Sequence, residues 1–175
     1  MPFSDLPDRL REVRGRIAAA VQRGGHAQQV TIVAVTKTHG PDAATAAWEA
    51  GLRDVGENRV QEALAKMDAV TVPLSWHLIG HLQRNKAKLS TSFHLVHSLD
   101  SERLADALNE VGRKRERPID VLVQVNVVEE ASKGGYTLAA LDAEGERLRA
   151  LSGRRVRGGM GMAPLDGDQR KLRQG

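Results

Sequence analysis

The chain has no cysteine and few aromatic residues. Its 175 residues include two Trp, one Tyr and two Phe. Without cysteine there can be no disulfides, thiolate metal sites or cysteine nucleophiles, and the composition fits a reducing compartment. So few aromatic side chains offer no stacking platform for single-stranded nucleic acid.

The chain also lacks a hydrophobic run of membrane-spanning length. Its first residues, MPFSDLPDRLREVRGRI, are charged and amphipathic and contain no apolar core of a signal peptide. We therefore expect a cytoplasmic protein with no membrane partner.

The formal net charge of +4 raises the question of nucleic-acid binding. The basic residues cluster only around Arg113–Arg117 and Arg154–Arg157. Runs of charge are usually solvated faces. Because aromatic residues are also scarce, we expect no nucleic-acid partner, and a salt-dependent binding series would test this alternative.

Short apolar segments alternate with amphipathic ones along the whole chain, which predicts a single α/β domain over residues 1–175. The predicted strands are 30–36, 53–58, 75–80, 93–100, 119–127 and 154–162. The predicted helices are 3–24, 41–51, 59–67, 83–90, 101–112 and 137–151. The continuous apolar runs in 30–36 and 119–127 predict strands buried on both faces of a parallel sheet.

Two architectures fit this alternation, a doubly wound open sheet and a (β/α)8 barrel. No G-x-G-x-x-G follows the first strand, which argues against a dinucleotide-binding sheet. A barrel needs eight strand–helix units and about 250 residues. The chain supplies only six such units, so composition and pattern leave the choice open.

Polar side chains recur where the predicted strands end, and in parallel α/β folds ligands bind at that edge. These residues are Lys37, Glu57, Asn58, His77, His81, His97, Ser98, Asp100, Gln124 and Asn126, and the sixth strand ends near Met160. Such repetition at one edge suggests a shared binding site.

Lys37 is the distinctive member of this set. A lysine held at the end of an apolar strand would be partly desolvated, which disfavours its charged form. The neutral amine is a nucleophile that forms Schiff bases with aldehydes and ketones. The alternative is an ordinary surface lysine whose aliphatic side chain covers apolar neighbours. His77 and His81 are four residues apart on a strand and turn rather than a helix, so we expect no metal site.

Six segments, in order, resemble the pyridoxal phosphate homeostasis protein family. They are VAVTKTHG, GENRVQEA, WHLIGHLQRNKAK, HSLD, VQVNVVEEASKGG and RGGMGM. The family is similar in fold to the N-terminal barrel of alanine racemase, which is PLP fold type III. The resemblance therefore implies the TIM (β/α)8-type barrel, with about six of its eight units in this chain.

The resemblance also implies a function. Lys37 matches the lysine that carries pyridoxal 5′-phosphate (PLP) as a Schiff base, and the matching pocket positions are Asn58, His77, Ser98, Asn126 and Met160. It implies a PLP-binding protein of intracellular PLP homeostasis, without established catalytic turnover and so without catalytic residues. The expected partners are PLP and PLP-dependent apoenzymes, and the expected state is a monomer.

The chain departs from the family pattern at its end, where two further strand–helix units with much of the phosphate cradle are expected. We therefore expect a barrel that is incomplete at the C-terminus. The alternative function is a PLP-dependent amino-acid racemase or lyase. A racemase of this fold needs a second base, commonly a tyrosine from another domain, and the only tyrosine here is Tyr136.

Overall fold

A computed structural model describes residues 3–127 and 134–162 of the chain. Strands are β1 Val33–Val35, β2 Asp54–Glu57, β3 Ser75–Leu78, β4 Leu95–Leu99, β5 Ile119–Gln124 and β6 Arg154–Met160. Helices are α1 Leu6–Gly24, α2 Pro41–Glu49, α3 Val60–Ala69, α4 Glu102–Lys114 and α5 Leu138–Ala150, with a 3₁₀ helix at Arg84–Ser92. Residues 128–133 of the VQVNVVEEASKGG segment lie outside the described residues, as does the segment 163–175.

The six strands form one parallel sheet in sequential order, β1 to β6. Each strand is followed by a helical segment before the next strand pairs beside it. Right-handed crossovers that always step in the same direction place every helix on the same face. A doubly wound sheet reverses its strand order at a switch point, which this sheet lacks among the described residues. The predicted barrel-type architecture with six units is confirmed.

The hydrophobic core lies between the sheet and its helices. Val55, Leu78, Val96 and Val121 are fully buried on this helix-covered face. The helices contribute small and branched side chains to the same core, namely Ala44, Ala47, Val60, Ala63, Leu104, Ala105 and Leu108. Small residues on α2 and α3 let these helices approach the strands closely, which is how a parallel sheet is normally covered.

The opposite, inner face of the sheet is defined here by Val33, Gly56, His77 and Ile79. A Cβ added to Gly56 would lie 3.2 Å from both Val33 Cγ1 and Ile79 Cγ2, and Gly56 is paired with His77 in the register. In β5, buried and half-buried residues alternate, so only its helix-covered face is fully buried. The prediction of burial on both faces is therefore wrong for β5.

The first strand is also shorter and more exposed than the sequence predicts. Strand β1 spans three residues rather than 30–36, and Val35 is 51% exposed. Within the described residues β1 has a strand neighbour on one side only, and Val35 lies on the inner face opposite Gly56. An edge strand gains burial from one neighbour, which explains why an apolar run is left open here.

None of the helices in the described ranges has both the length and the apolar character needed to cross a membrane.

Helix α4 meets the turn before β6 through a direct backbone contact. A Cβ added to Gly112 would lie 1.6 Å from Gly153 O, and one added to Gly153 would lie 2.0 Å from Asn109 O. The Asn109 side chain accepts a hydrogen bond of 2.8 Å from the Gly153 N–H. Neither position can hold a side chain without moving backbone.

We predict that Gly112→Ala lowers the free energy of unfolding by about 3 kcal/mol, because the added methyl group overlaps a carbonyl that cannot move aside. Gly145→Ala in α5 is the matched control, since a Cβ there meets no atom within 4 Å. It should stabilise the chain by about 0.5–1 kcal/mol through helix propensity. Urea unfolding followed by circular dichroism measures both, and equal stability of the two variants would contradict the packing argument.

Candidate functional site

Lys37 lies in the turn that follows β1, and its side chain is exposed. The register of β1 and β2 ends at the Val35–Gly56 pair, and Lys37 and Asn58 each follow two residues later in their segments. The expectation that the apolar strand desolvates this amine is wrong, because Lys37 is exposed among the described residues. The amine is instead directly accessible to a ligand.

The turn around Lys37 has an unusual backbone. Thr38 has φ of +67°, a conformation that β-branched residues rarely adopt and that persists only where the surroundings impose it. The His39 N–H donates to Thr36 O over 3.2 Å, while the Thr36 N–H donates to Gly56 O over 3.1 Å. The lysine is therefore flanked by residues that are fixed by hydrogen bonds.

A buried ion pair lies directly behind this turn. Lys66 Nζ is 2.6 Å from Glu57 Oε1 and donates to Thr36 O over 2.8 Å. The Thr36 hydroxyl donates to the same Glu57 oxygen over 2.6 Å. The sequence pattern indicated Glu57 only as an acid at a strand end and did not single out Lys66. The available signal was its spacing on α3, where Lys66 follows Val60 and Ala63 on the buried face.

His77 belongs to a chain of hydrogen bonds on the inner face. Its Nε2 is 3.0 Å from Asp54 Oδ1, and its Nδ1 is 2.9 Å from His97 Nε2. The Asp54 carboxylate can only accept, which assigns the proton of His77 to Nε2 and makes Nδ1 the acceptor for His97. Both ring nitrogens of His77 are thus engaged by protein groups. That His77 lines a cofactor pocket stays a prediction.

The two histidines are uncharged at neutral pH. Burial lowers the pKa of His77 against the opposing pull of the Asp54 carboxylate. Burial, and to a smaller extent the neighbouring His77, lowers the pKa of His97 to about 4. The predicted strand-end acids and histidines did not include Asp54, because its partnership with His77 depends on the register of β2 and β3.

Asn58 and Ser98 meet around Gly80, which follows β3. A Cβ added to Gly80 would lie 2.3 Å from Asn58 O, so only glycine fits there. The Ser98 hydroxyl is buried and donates to Gly80 O over 2.7 Å. Asn58 is half-buried. The structure thus brings the ends of β1 to β4 together at the expected edge of the sheet.

Asn126 and Met160 form a second group at the same edge. The Asn126 N–H donates to Tyr136 O over 2.9 Å, and Met160 O accepts from the Val125 N–H over 2.8 Å. Both residues line a small cleft with Gln124, whose amide donates to Gly134 O over 2.7 Å. As predicted, these residues share one edge with Lys37. Their role toward a ligand stays a prediction.

His81 has a simpler role than a ligand group. Its Nδ1 is 2.8 Å from Asp100 Oδ2, and its side chain is largely exposed. His77 and His81 do not converge on a common point. Within the described part of the chain, no group of three or more His, Asp or Glu side chains could hold a metal ion.

Comparisons with known proteins place this geometry in a family. The family described as "Alanine racemase, N-terminal domain" matches residues 10–173. The pyridoxal phosphate homeostasis protein of Escherichia coli K12 is 37% identical over 162 residues, which cover 89% of this chain and 69% of the relative.

Solved structures agree with this result. PipY of Synechococcus elongatus PCC7942 without PLP matches with a TM-score of 0.82 and 35% identity, covering 96% of this chain and 75% of PipY. The form of PipY with PLP bound matches with a TM-score of 0.76 at the same identity, covering 89% and 74% of the two chains.

The sequential parallel sheet and the match over residues 10–173 identify an alanine-racemase-type domain. The chain belongs to the alanine racemase N-terminal domain family, and within it to the pyridoxal phosphate homeostasis proteins.

The histidine chain makes the stability of the protein depend on pH. His97 has a folded pKa of about 4, below its unfolded value of 6.5, so the unfolded chain binds the extra proton first as the pH falls. Stability is therefore highest above about pH 6.5 and is lost between about pH 6.5 and 4. Because the ring is only half-buried, we expect His97 to account for about 2 kcal/mol of this loss in the free energy of unfolding.

We predict that His97→Gln reduces this loss, since the amide can still donate to His77 but does not titrate. Urea unfolding between pH 4.5 and 7.5 measures the slope. His26→Gln is the control, because His26 is exposed and should leave the slope unchanged. If His97→Gln and the wild-type protein lose stability in parallel, the histidine chain is not the source of the pH dependence.

Proposed function

We propose that the protein binds PLP covalently through Lys37 and serves in intracellular PLP homeostasis without turnover of its own. The observation that carries this proposal is the position of Lys37, an exposed lysine two residues beyond β1 at the carboxyl edge of the sheet. The family membership and the 35% identity to PipY with PLP bound support the choice of ligand.

The side chains at this edge fit the aldehyde and the ring of PLP. PLP, when bound, supplies an aldehyde carbon that condenses with a primary amine with loss of one water. Lys37 supplies the amine, and the side-chain amides of Asn58 and Asn126 offer donors and acceptors for a polar ring. The hydrogen bonds at Thr36 and His39 hold the backbone on both sides of the lysine.

The alternative function, a racemase or lyase, needs an acid or base placed against the substrate. Tyr136 is the only tyrosine of the chain, and it is buried. Burial, reinforced by Glu144, raises its pKa to about 12, so it remains protonated at neutral pH. A group that cannot ionise or reach solvent is a poor second base. This supports a carrier that holds PLP and passes it to PLP-dependent apoenzymes.

We further propose that the protein works as a monomer in the cytoplasm. The absence of cysteine supports a reducing compartment.

The test of this proposal is Lys37→Ala. The chain is mixed with PLP, reduced with borohydride, digested and analysed by mass spectrometry. The wild-type protein should gain a PLP adduct on the peptide that contains Lys37, together with near-visible absorbance before reduction. The variant should lose both, because no other predicted pocket residue carries an amine.

Lys114→Ala is the matched control, since this exposed lysine pairs with Glu110 on the surface of α4. It should keep the adduct at Lys37. A stoichiometric adduct that persists in Lys37→Ala would show that another lysine is the anchor.

A further inference from the structure

The buried ion pair behind Lys37 involves two residues without an assigned role. Glu57 has no exposed surface, and Lys66 and Thr36 are 8% and 4% exposed. Charged residues are almost never buried this deeply unless they are paired. Here a carboxylate from the end of β2 meets an ammonium group from α3, and both contact the residue next to Lys37.

Stability alone does not explain such a pair. Removing two charges from water costs free energy, and a well-packed apolar pair of similar volume is often as stable or more so. The pair therefore suggests a role that apolar side chains could not fill. Only a donor such as the Lys66 ammonium can hold a backbone carbonyl in a chosen direction.

The carbonyl that Lys66 holds belongs to the peptide bond between Thr36 and Lys37. A peptide group is planar, so fixing its oxygen also fixes the N–Cα bond of Lys37. The same oxygen accepts the His39 N–H, which closes the turn in which Thr38 has its positive φ. Glu57 in turn holds both Lys66 and the Thr36 hydroxyl through one oxygen.

We infer that Glu57 and Lys66 are positioning residues for Lys37. This inference rests on the proposed function, in which the Lys37 amine captures PLP. The ion pair fixes the peptide group before Lys37 and the turn after it. The Lys37 side chain therefore leaves the backbone in one direction rather than in many. Preorganisation of this kind raises the rate and affinity of capture, since a displacement of about 1 Å can cost about 100-fold in rate.

A double variant separates positioning from folding. Lys66→Met alone leaves the Glu57 carboxylate buried without its partner, which destabilises the fold. The double variant Glu57→Met with Lys66→Met removes both charges, so its urea midpoint should return close to that of the wild-type protein. Thr36 O nevertheless remains without the lysine donor. Capture of PLP, followed by stopped-flow absorbance, should stay about 10- to 100-fold slower than wild type.

A second variant tests the same inference without touching either charge. Thr36→Val keeps the shape of the side chain but removes its hydrogen bond to Glu57. It should slow capture, and the loss of one donor to the buried carboxylate should lower the free energy of unfolding by about 1–3 kcal/mol without unfolding the chain. Thr45→Val is its matched control, because the Thr45 hydroxyl donates to Pro41 O on the exposed side of α2. Lys66→Arg keeps a charged donor at this position. It should therefore capture PLP at close to the wild-type rate.

The outcomes distinguish the inference from the proposed function. If Lys37→Ala still captures PLP, the proposed function fails. If Lys37→Ala abolishes capture while both the double variant and Thr36→Val capture at the wild-type rate, only the positioning role is overturned. If circular dichroism shows that the double variant is unfolded, the comparison of Thr36→Val with Thr45→Val decides the question alone.

Discussion

Parallel pairing of successive strands is the constraint on which the site depends. Each strand pairs with the next one in the same direction, so all carboxyl ends lie at one edge. Lys37 after β1 and Met160 at the end of β6 share that edge although they are far apart in sequence. The helices of the described residues pack on the other side of the hydrogen-bonded layer.

Many polar groups at this edge hold the backbone rather than a ligand. The Ser98 hydroxyl is engaged with Gly80 O, and the Lys66 ammonium with Thr36 O. Gly80 in turn lies directly against Asn58, where a side chain would overlap the backbone. The groups that remain for a ligand are therefore placed by neighbours whose own polar groups are already satisfied, which is the condition for a preorganised site.

Local patterns predicted the six strands, their order of alternation with helices, and the strand ends, because apolar runs and helical spacing are properties of short segments. The quoted segments further identified the family, and within it they single out Lys37 as the match to the lysine that carries PLP. The exposure of β1, the Asp54–His77 contact and the Lys66–Glu57 pair could not be predicted in this way. Each depends on register or on the contact of a helix with a strand, and these are set by packing between distant segments.

Carriers and enzymes make different demands on a reactive lysine. A carrier must exchange its cargo, so the amine must be reachable from solvent, as it is for Lys37. An enzyme must in addition place a proton donor or acceptor against the substrate at a suitable pKa. Tyr136 is buried with a pKa of about 12, and His97 has a pKa of about 4. Both values lie far from neutrality, so neither group is set to exchange a proton readily at neutral pH.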